Sequence, residues 1–220
     1  MKGLLLILIL FISSSGQSQQ LRFSIATDLG LQRSFKKGQQ YWAVGHTVHL
    51  HFNYNKRNGV YGWISYYSNG KFTNALQATA KSPSTNPQQM NYSNNAIMRF
   101  KHISLGWRHY LKGEIAVENK LNIYGYAGWG LMLGRVENKD SPLIDTTIYI
   151  LPVARGKANF KRLTIDIGLG WEWPIGYDVY FYNEARVWLP TTDYPSKYLF
   201  VNRKAPLVAS LDIGLRILFN

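Results

Sequence analysis

The sequence contains no cysteine. Without a thiol the chain can hold neither a disulfide nor a lipoprotein anchor. Beyond the first residues it also lacks any run approaching the ~18 consecutive apolar residues that mark a spanning helix. No Gly-rich phosphate loop or nucleotide fingerprint occurs, because the glycines fall inside alternating stretches. Acidic residues are scarce, 12 against 25 Lys and Arg, for a formal charge of +13. Such a balance suits an anionic surface or a set of solvated basic loops.

What is present begins with "MKGLLLILILFISSSGQSQ": one basic residue, Lys2, an apolar run from Leu4 to Ile12, then small and polar residues. Nine apolar residues are too few to cross ~30 Å of hydrocarbon, so the segment predicts a secretory signal over residues 1–18. The remainder, 19–220, is expected to form one domain, and loss of Lys2 lowers the charge from +13 to +12. Export makes nucleic acid an unexpected partner. Hydrophobic residues are 46% of the chain and aromatics 15%. With no helix to hold them, they must sit in alternating strands.

Eight such strands can be read. The last is the most telling: Leu207, Ala209, Leu211, Ile213, Leu215, Ile217 and Phe219 alternate with Ser210, Asp212, Gly214 and Arg216. It exceeds the ~5 to 6 residues of an ordinary strand and reaches the ~9 to 11 of a tilted transmembrane one. Similar alternation runs through "LRFSIATDLGLQ", "AVGHTVHLHFNY", "HISLGWRHYL", "LNIYGYAGWGLMLG", "RLTIDIGLGWEW" and "VYFYNEARVWL". The third strand, "VYGWISYY", is aromatic on both faces and its register stays open. Met98 and Phe100 are out of phase with the strand that follows them, which predicts a bulge there. Short connections ("NKRNG", with its Asn58-Gly59 hairpin signal, "KGEIAVENK" and "PIGYD") alternate with long polar ones at 68–95, 137–159 and 190–206. Within the second of these, "TTIYIL" could extend a strand above a membrane.

Alternation alone does not say which face is outside. A soluble lipocalin-like barrel turns its apolar face inward around a ligand. Here the opposite face carries repeated Gly with Asp, Glu and Arg, which suits a crowded polar lumen. Phe52, Tyr54, Trp107, Trp173 and Phe219 fall near one boundary and predict an aromatic girdle. On these residues the chain resembles the small eight-stranded outer-membrane β-barrel family of Gram-negative bacteria. Leu215, Ile217 and Phe219 resemble that family's C-terminal assembly signal, although Asn220 follows the aromatic. The resemblance implies an all-β, antiparallel up-and-down transmembrane barrel, integral in the outer membrane. It also implies contact with lipid and lipopolysaccharide, and with the barrel insertion machinery during assembly.

The lumen is expected to close on itself. Arg108, Asp166, Glu172, Glu184, Arg186, Asp212 and Arg216 all face inward, and a turn centred near Gly176 would set Asp166 opposite Arg186. Unpaired buried charge is costly, so a narrow barrel should pair it. This predicts a structural, adhesive or surface-interaction role, with long loops offered to an external partner and no large pore. Two alternatives are carried: a narrow channel for small solutes, and a lipid A-modifying enzyme. The second rests on His102 and Ser104, which share a face and resemble the His-x-Ser element of outer-membrane lipid A deacylases. Its departures are an inward register and no matching Glu, since Glu114 and Glu118 fall in a turn. His49 and His51 point inward and His46 outward, too few ligands on one face for a metal. No catalytic set, metal or cofactor is assigned.

Overall fold

The computed structural model describes residues 22–116, 120–191 and 207–219. The expected signal peptide, most of the 190–206 connection and Asn220 lie outside them. Nine strands form one antiparallel sheet: β1 (Arg22–Ser34), β2 (Trp42–Asn53), β3 (Asn58–Ala80), β4 (Gln89–Lys112), β5 (Asn122–Ser141), β6 (Tyr149–Ile150), β7 (Gly156–Gly176), β8 (Val179–Pro190) and β9 (Val208–Phe219). Apart from β6, each pairs with both neighbours in the chain, and β1 pairs with β9. The eight long strands thus close an up-and-down transmembrane barrel, with no open edge where their ladders are complete. β6 adds two residues to the top of β3, where Thr79 and Ala80 pair with Ile150 and Tyr149.

The apolar residues of the alternating pattern point outward. Leu29, Leu105, Leu163, Leu211 and Ile213 are all more than half exposed, whereas Asp28, Arg108, Asp166 and Asp212, on the alternate positions of the same strands, are buried. A soluble fold would bury such a belt; here it meets lipid. The third strand's open register resolves to Tyr61, Trp63, Ser65 and Tyr67 inward, with Val60, Ile64 and Tyr66 outward. At one end of the belt Phe23 lies 5.0 Å from Phe52 and 5.6 Å from Phe219, and Trp107 Nε1 donates to the Tyr54 hydroxyl at 3.1 Å. These rings and exposed Trp173 form the lower girdle.

Four expectations need correction. Met98 and Phe100 do not break the phase of β4; they point inward with Ala96 and His102. The irregularity lies opposite, in β3 between Tyr67 and Gly70. Polarity misled the reading because the upper lumen is lined by apolar side chains. Second, Asn58 and Gly59 are not the turn but the start of β3. The Asn55 carboxamide oxygen accepts from the amides of Arg57 and Asn58 at 2.9 and 2.7 Å and bends the chain one step earlier. Third, the β7–β8 turn centres on Tyr177, whose φ is +47°, and a bulge at Pro174/Gly176 accompanies it. Asp166 therefore pairs with Trp188, and Arg186 with Gly168.

Last, the long connection at 68–95 is largely strand, and about half of the one at 137–159 is. β3 and β4 run for 23 and 24 residues, ~12 to 15 beyond the ~9 to 11 that cross a membrane. At ~3.3 Å per residue the surplus extends ~40 to 50 Å along the strands. A second layer holds it up: Ile144, Tyr149 and Val153, from the segment between β5 and β7, bury against Leu76, Ala78 and Tyr92. Burial, with the Asp140 carboxylate nearby, raises the Tyr92 phenol to about 12.

Candidate functional site: the charged lumen

Glycines shape the space in which the charges meet. Gly168 and Gly170 of β7 lie directly opposite Tyr126 and Tyr124 of β5. A Cβ on either glycine would overlap the tyrosine ring folded across it, so a glycine is required where an aromatic crosses the strand. Those rings and their neighbours wall three linked groups of charge.

In the lower group Glu172 is the hub. Arg216 grips it with two contacts, Nη2 donating to Oε1 at 2.8 Å and Nε to Oε2 at 3.0 Å. Arg108 Nη2 donates to Oε2 at 2.9 Å, the Tyr110 hydroxyl to Oε1 at 2.7 Å and the Asn122 amide to Oε1 at 3.2 Å. The Arg108 guanidinium stacks 3.6 Å from the Tyr124 ring centroid and also donates to His51 Nδ1 at 3.0 Å. Below it the described residues just past β4 fold inward. Buried Ile115 packs with Tyr110, Tyr180 and Leu218, and its carbonyl accepts from Arg216 at 3.2 Å.

Arg186 is the hub of the middle group. Its Nε donates to Glu184 Oε2 at 2.8 Å, its Nη1 to Thr47 Oγ1 at 3.0 Å and its Nη2 to Asp28 Oδ2; an ion pair to Asp212 Oδ2 spans 3.5 Å. Asp28 also takes His49 Nε2 at 2.8 Å and the Tyr182 hydroxyl at 2.9 Å. Tyr67 and Ser210 donate to the two oxygens of Asp212 at 2.5 and 2.7 Å, and Tyr124 donates to Glu184 at 2.7 Å. Asp28, His49 and Glu184 bring metal-ligand atoms within 4.8 Å of one another. The Arg186 guanidinium already donates to both carboxylates, so a cation sits among them. His46 lies on the outward face beside Tyr66, away from His49 and His51.

The upper group holds His102, fully buried and stacked on Trp188 at 4.2 Å between centroids. Trp63 Nε1 donates to its Nδ1 at 3.2 Å, while Nε2 lies 2.9 Å from Thr164 Oγ1 and 3.3 Å from Asp166 Oδ1. Thr164 Oγ1 donates to Asp166 at 2.8 Å. Ser104 turns elsewhere, donating to the Trp129 carbonyl at 3.3 Å. His102 and Ser104 therefore share a face, but other groups hold each of them, and both point into the lumen rather than toward lipid. Above His102 the inward side chains become apolar, among them Tyr41, Phe72, Met98, Phe100, Met132 and Phe160.

All seven inward charges named from the sequence lie in these groups, with Arg186 reaching Asp28, Glu184 and Asp212 rather than Asp166. Sequence reasoning missed Asp28, His49 and the tyrosine hydroxyls of Tyr67, Tyr110, Tyr124 and Tyr182 as partners. The signal was available: each shares the parity of the charged residues on its own strand, and in a narrow barrel that parity means the lumen.

No protein-family model and no curated protein matches the chain. Solved structures do, at low identity. The crystal structure of Ail, the attachment invasion locus protein of Yersinia pestis, in complex with the heparin analogue sucrose octasulfate, has a TM-score of 0.50 and 11% identity, covering 90% of this chain and 99% of that one. Neisserial surface protein A gives 0.53 and 12%, covering 89% and 96%. A major outer membrane protein from Thermus thermophilus gives 0.54 and 11%, covering 90% and 99%. The fold is that of the small outer-membrane β-barrels.

Proposed function

We propose that this integral outer-membrane β-barrel protein acts at the cell surface in a structural or adhesive role, through a non-conducting barrel. The observation that carries the reading is a contrast along the barrel axis. Inside the membrane, arginines, carboxylates and tyrosines fill the lumen, as they can in a barrel of eight strands. Above it, β3, β4, β5 and β7 extend into a two-layered wall that solute passage does not need. The barrel insertion machinery is the assembly partner, reading Leu215, Ile217 and Phe219 on β9. The wall and the outer-leaflet lipid around it are the places of contact, with an external partner at the wall.

Planar-bilayer recording tests this reading together with electrophoretic mobility before and after boiling. The expected result is a heat-dependent shift, which folded barrels show in detergent, and no steady porin-sized conductance. Such conductance from shifted, folded protein would overturn it.

A further inference from the structure

The outward face of the long strands changes character over two rows. Ile64, Ile103, Leu131 and Leu163 sit side by side across β3, β4, β5 and β7. The next row up is Tyr66, Lys101, Leu133 and Lys161, and above that Arg99, Arg135 and Asn159. Four cations therefore gather at the upper edge of the aliphatic belt. They surround a surface pocket of about 590 Å³, with Tyr66 and Leu133 also in its wall.

Two features say that this cluster wants an anion. Arg99 and Arg135 are directly opposite across the ladder, an arrangement of like charges that costs stability in a sheet. Among the described residues, no carboxylate pairs with any of the four cations. Glu137, the acid nearest along the same face, instead pairs with Lys157 at 3.3 Å. Among the described residues, the strand faces on the opposite side show no equivalent. Their outward residues at this end are Trp42, Val44, Leu189, Leu207 and Ala209, with one strand cation, Arg33, laid over the Trp42 ring at 4.7 Å, and Lys36 and Lys37 in the β1–β2 turn beyond it. Height in the membrane identifies the anion. A group held one row above aliphatic side chains lies at the headgroup level of the outer leaflet, where a soluble polyanion would meet lipid first.

We infer that this pocket binds the phosphate-bearing head of an outer-leaflet lipopolysaccharide. Its phosphate oxygens sit among Arg99, Lys101, Arg135 and Lys161, and its acyl chains descend over the row of Ile64, Ile103, Leu131 and Leu163. Two arginines suit the site because a guanidinium offers paired donors to phosphate. The inference rests on the outer-membrane reading above, with the wall on the cell-surface side.

The test uses the full mature chain, folded in detergent. Native mass spectrometry would count retained lipid A, offered either bisphosphorylated or as the dephosphorylated form with the same acyl chains. The wild type is expected to prefer the bisphosphorylated form. The combined variant Arg99→Gln, Lys101→Gln, Arg135→Gln, Lys161→Gln is expected to lose that preference by at least about tenfold. Arg33→Gln with Lys56→Gln and Arg57→Gln removes similar charge elsewhere and is expected to keep it. Boiled and unboiled mobility would certify each fold. Should the fourfold variant fail to fold, Arg135→Glu alone takes its place.

Equal retention by a folded pocket variant and wild type would overturn the site and leave the barrel and its surface role intact. A wild type indifferent to the phosphates would overturn it too, as would an equal loss in the control variant. Failure of the wild type to shift on heating would instead count against the barrel reading itself.

Discussion

The two sides of the barrel obey different rules. β1, β2, β8 and β9 are 13, 12, 12 and 12 residues long. β3, β4, β5 and β7 run for 23, 24, 20 and 21. On the short side the strands end about where a bilayer does. On the long side they continue with their faces rewritten: the outward one turns from aliphatic to basic and amide-rich, and the inward one from ionic to mostly apolar, with the Asp140–Arg155 pair retained near the top. A strand leaving lipid must find another cover for one face, and the segment from Ile144 to Val153 supplies it. The difference teaches that strand length here follows the cover available rather than the membrane alone.

The sharpest way to break this contrast is at the ionic end. Arg186→Met would leave Asp28, Glu184 and Asp212 buried without their shared cation, and the expected loss is ~3 to 5 kcal/mol. Urea unfolding in lipid vesicles would measure it. A loss below ~1 kcal/mol would mean that the lumen group is not an interdependent unit.

The next comparison stays on one face of one strand. Leu105→Arg places a charge in the belt and should cost ~2 to 4 kcal/mol in the same assay, while Ile97→Arg, eight residues earlier and above the belt, should cost less than ~1. Equal costs would show that the belt does not end between them.

A smaller effect is expected from Gly168→Ala, whose methyl must displace the Tyr126 ring, at ~1 to 3 kcal/mol. Adding Tyr126→Ala should recover part of that loss, because the crowding goes with the ring. A double variant no better than the single one would place the strain in the backbone instead.

The least disturbance concerns the wall's covering segment. The amide and hydroxyl of Thr147 donate to the exposed Asp145 carboxylate and hold its pKa below the usual 3.8. A lowered acid pKa means the contact is complete at neutral pH and weakens as pH falls through that lowered value. Thr147→Ala removes one donor and should raise the Asp145 midpoint in an NMR titration. An unchanged midpoint would show that the hydroxyl contributes nothing.

Much of this was legible from single strands. "SLDIGLRILF" and "RLTIDIGLGWEW" each state a period of two, with charge and glycine on one face and large apolar residues on the other. Leu215 and Asp212 fell on their correct sides without any knowledge of partners. Legibility failed where polarity stopped reporting on side. Met98, Phe100 and Tyr67 are apolar or aromatic and inward, so the upper lumen resembled a phase break. It failed again at the β7–β8 turn, where moving the centre from Gly176 to Tyr177 gave Arg186 a different cross-strand neighbour.

The sequence by itself determined the fold class, the lipid-facing register and which face of each strand carries charge. Alternation is a local property, and burying charge against lipid is so unfavourable that only one orientation survives. Only the tertiary structure decided which charges pair, because partners such as Arg186 and Asp28 stand 158 residues apart and meet across the lumen. It also decided where the long strands end and how four cations from three strands reach one pocket. Those outcomes depend on register and on the cover a distant segment provides, and neither is written in the period of any one strand.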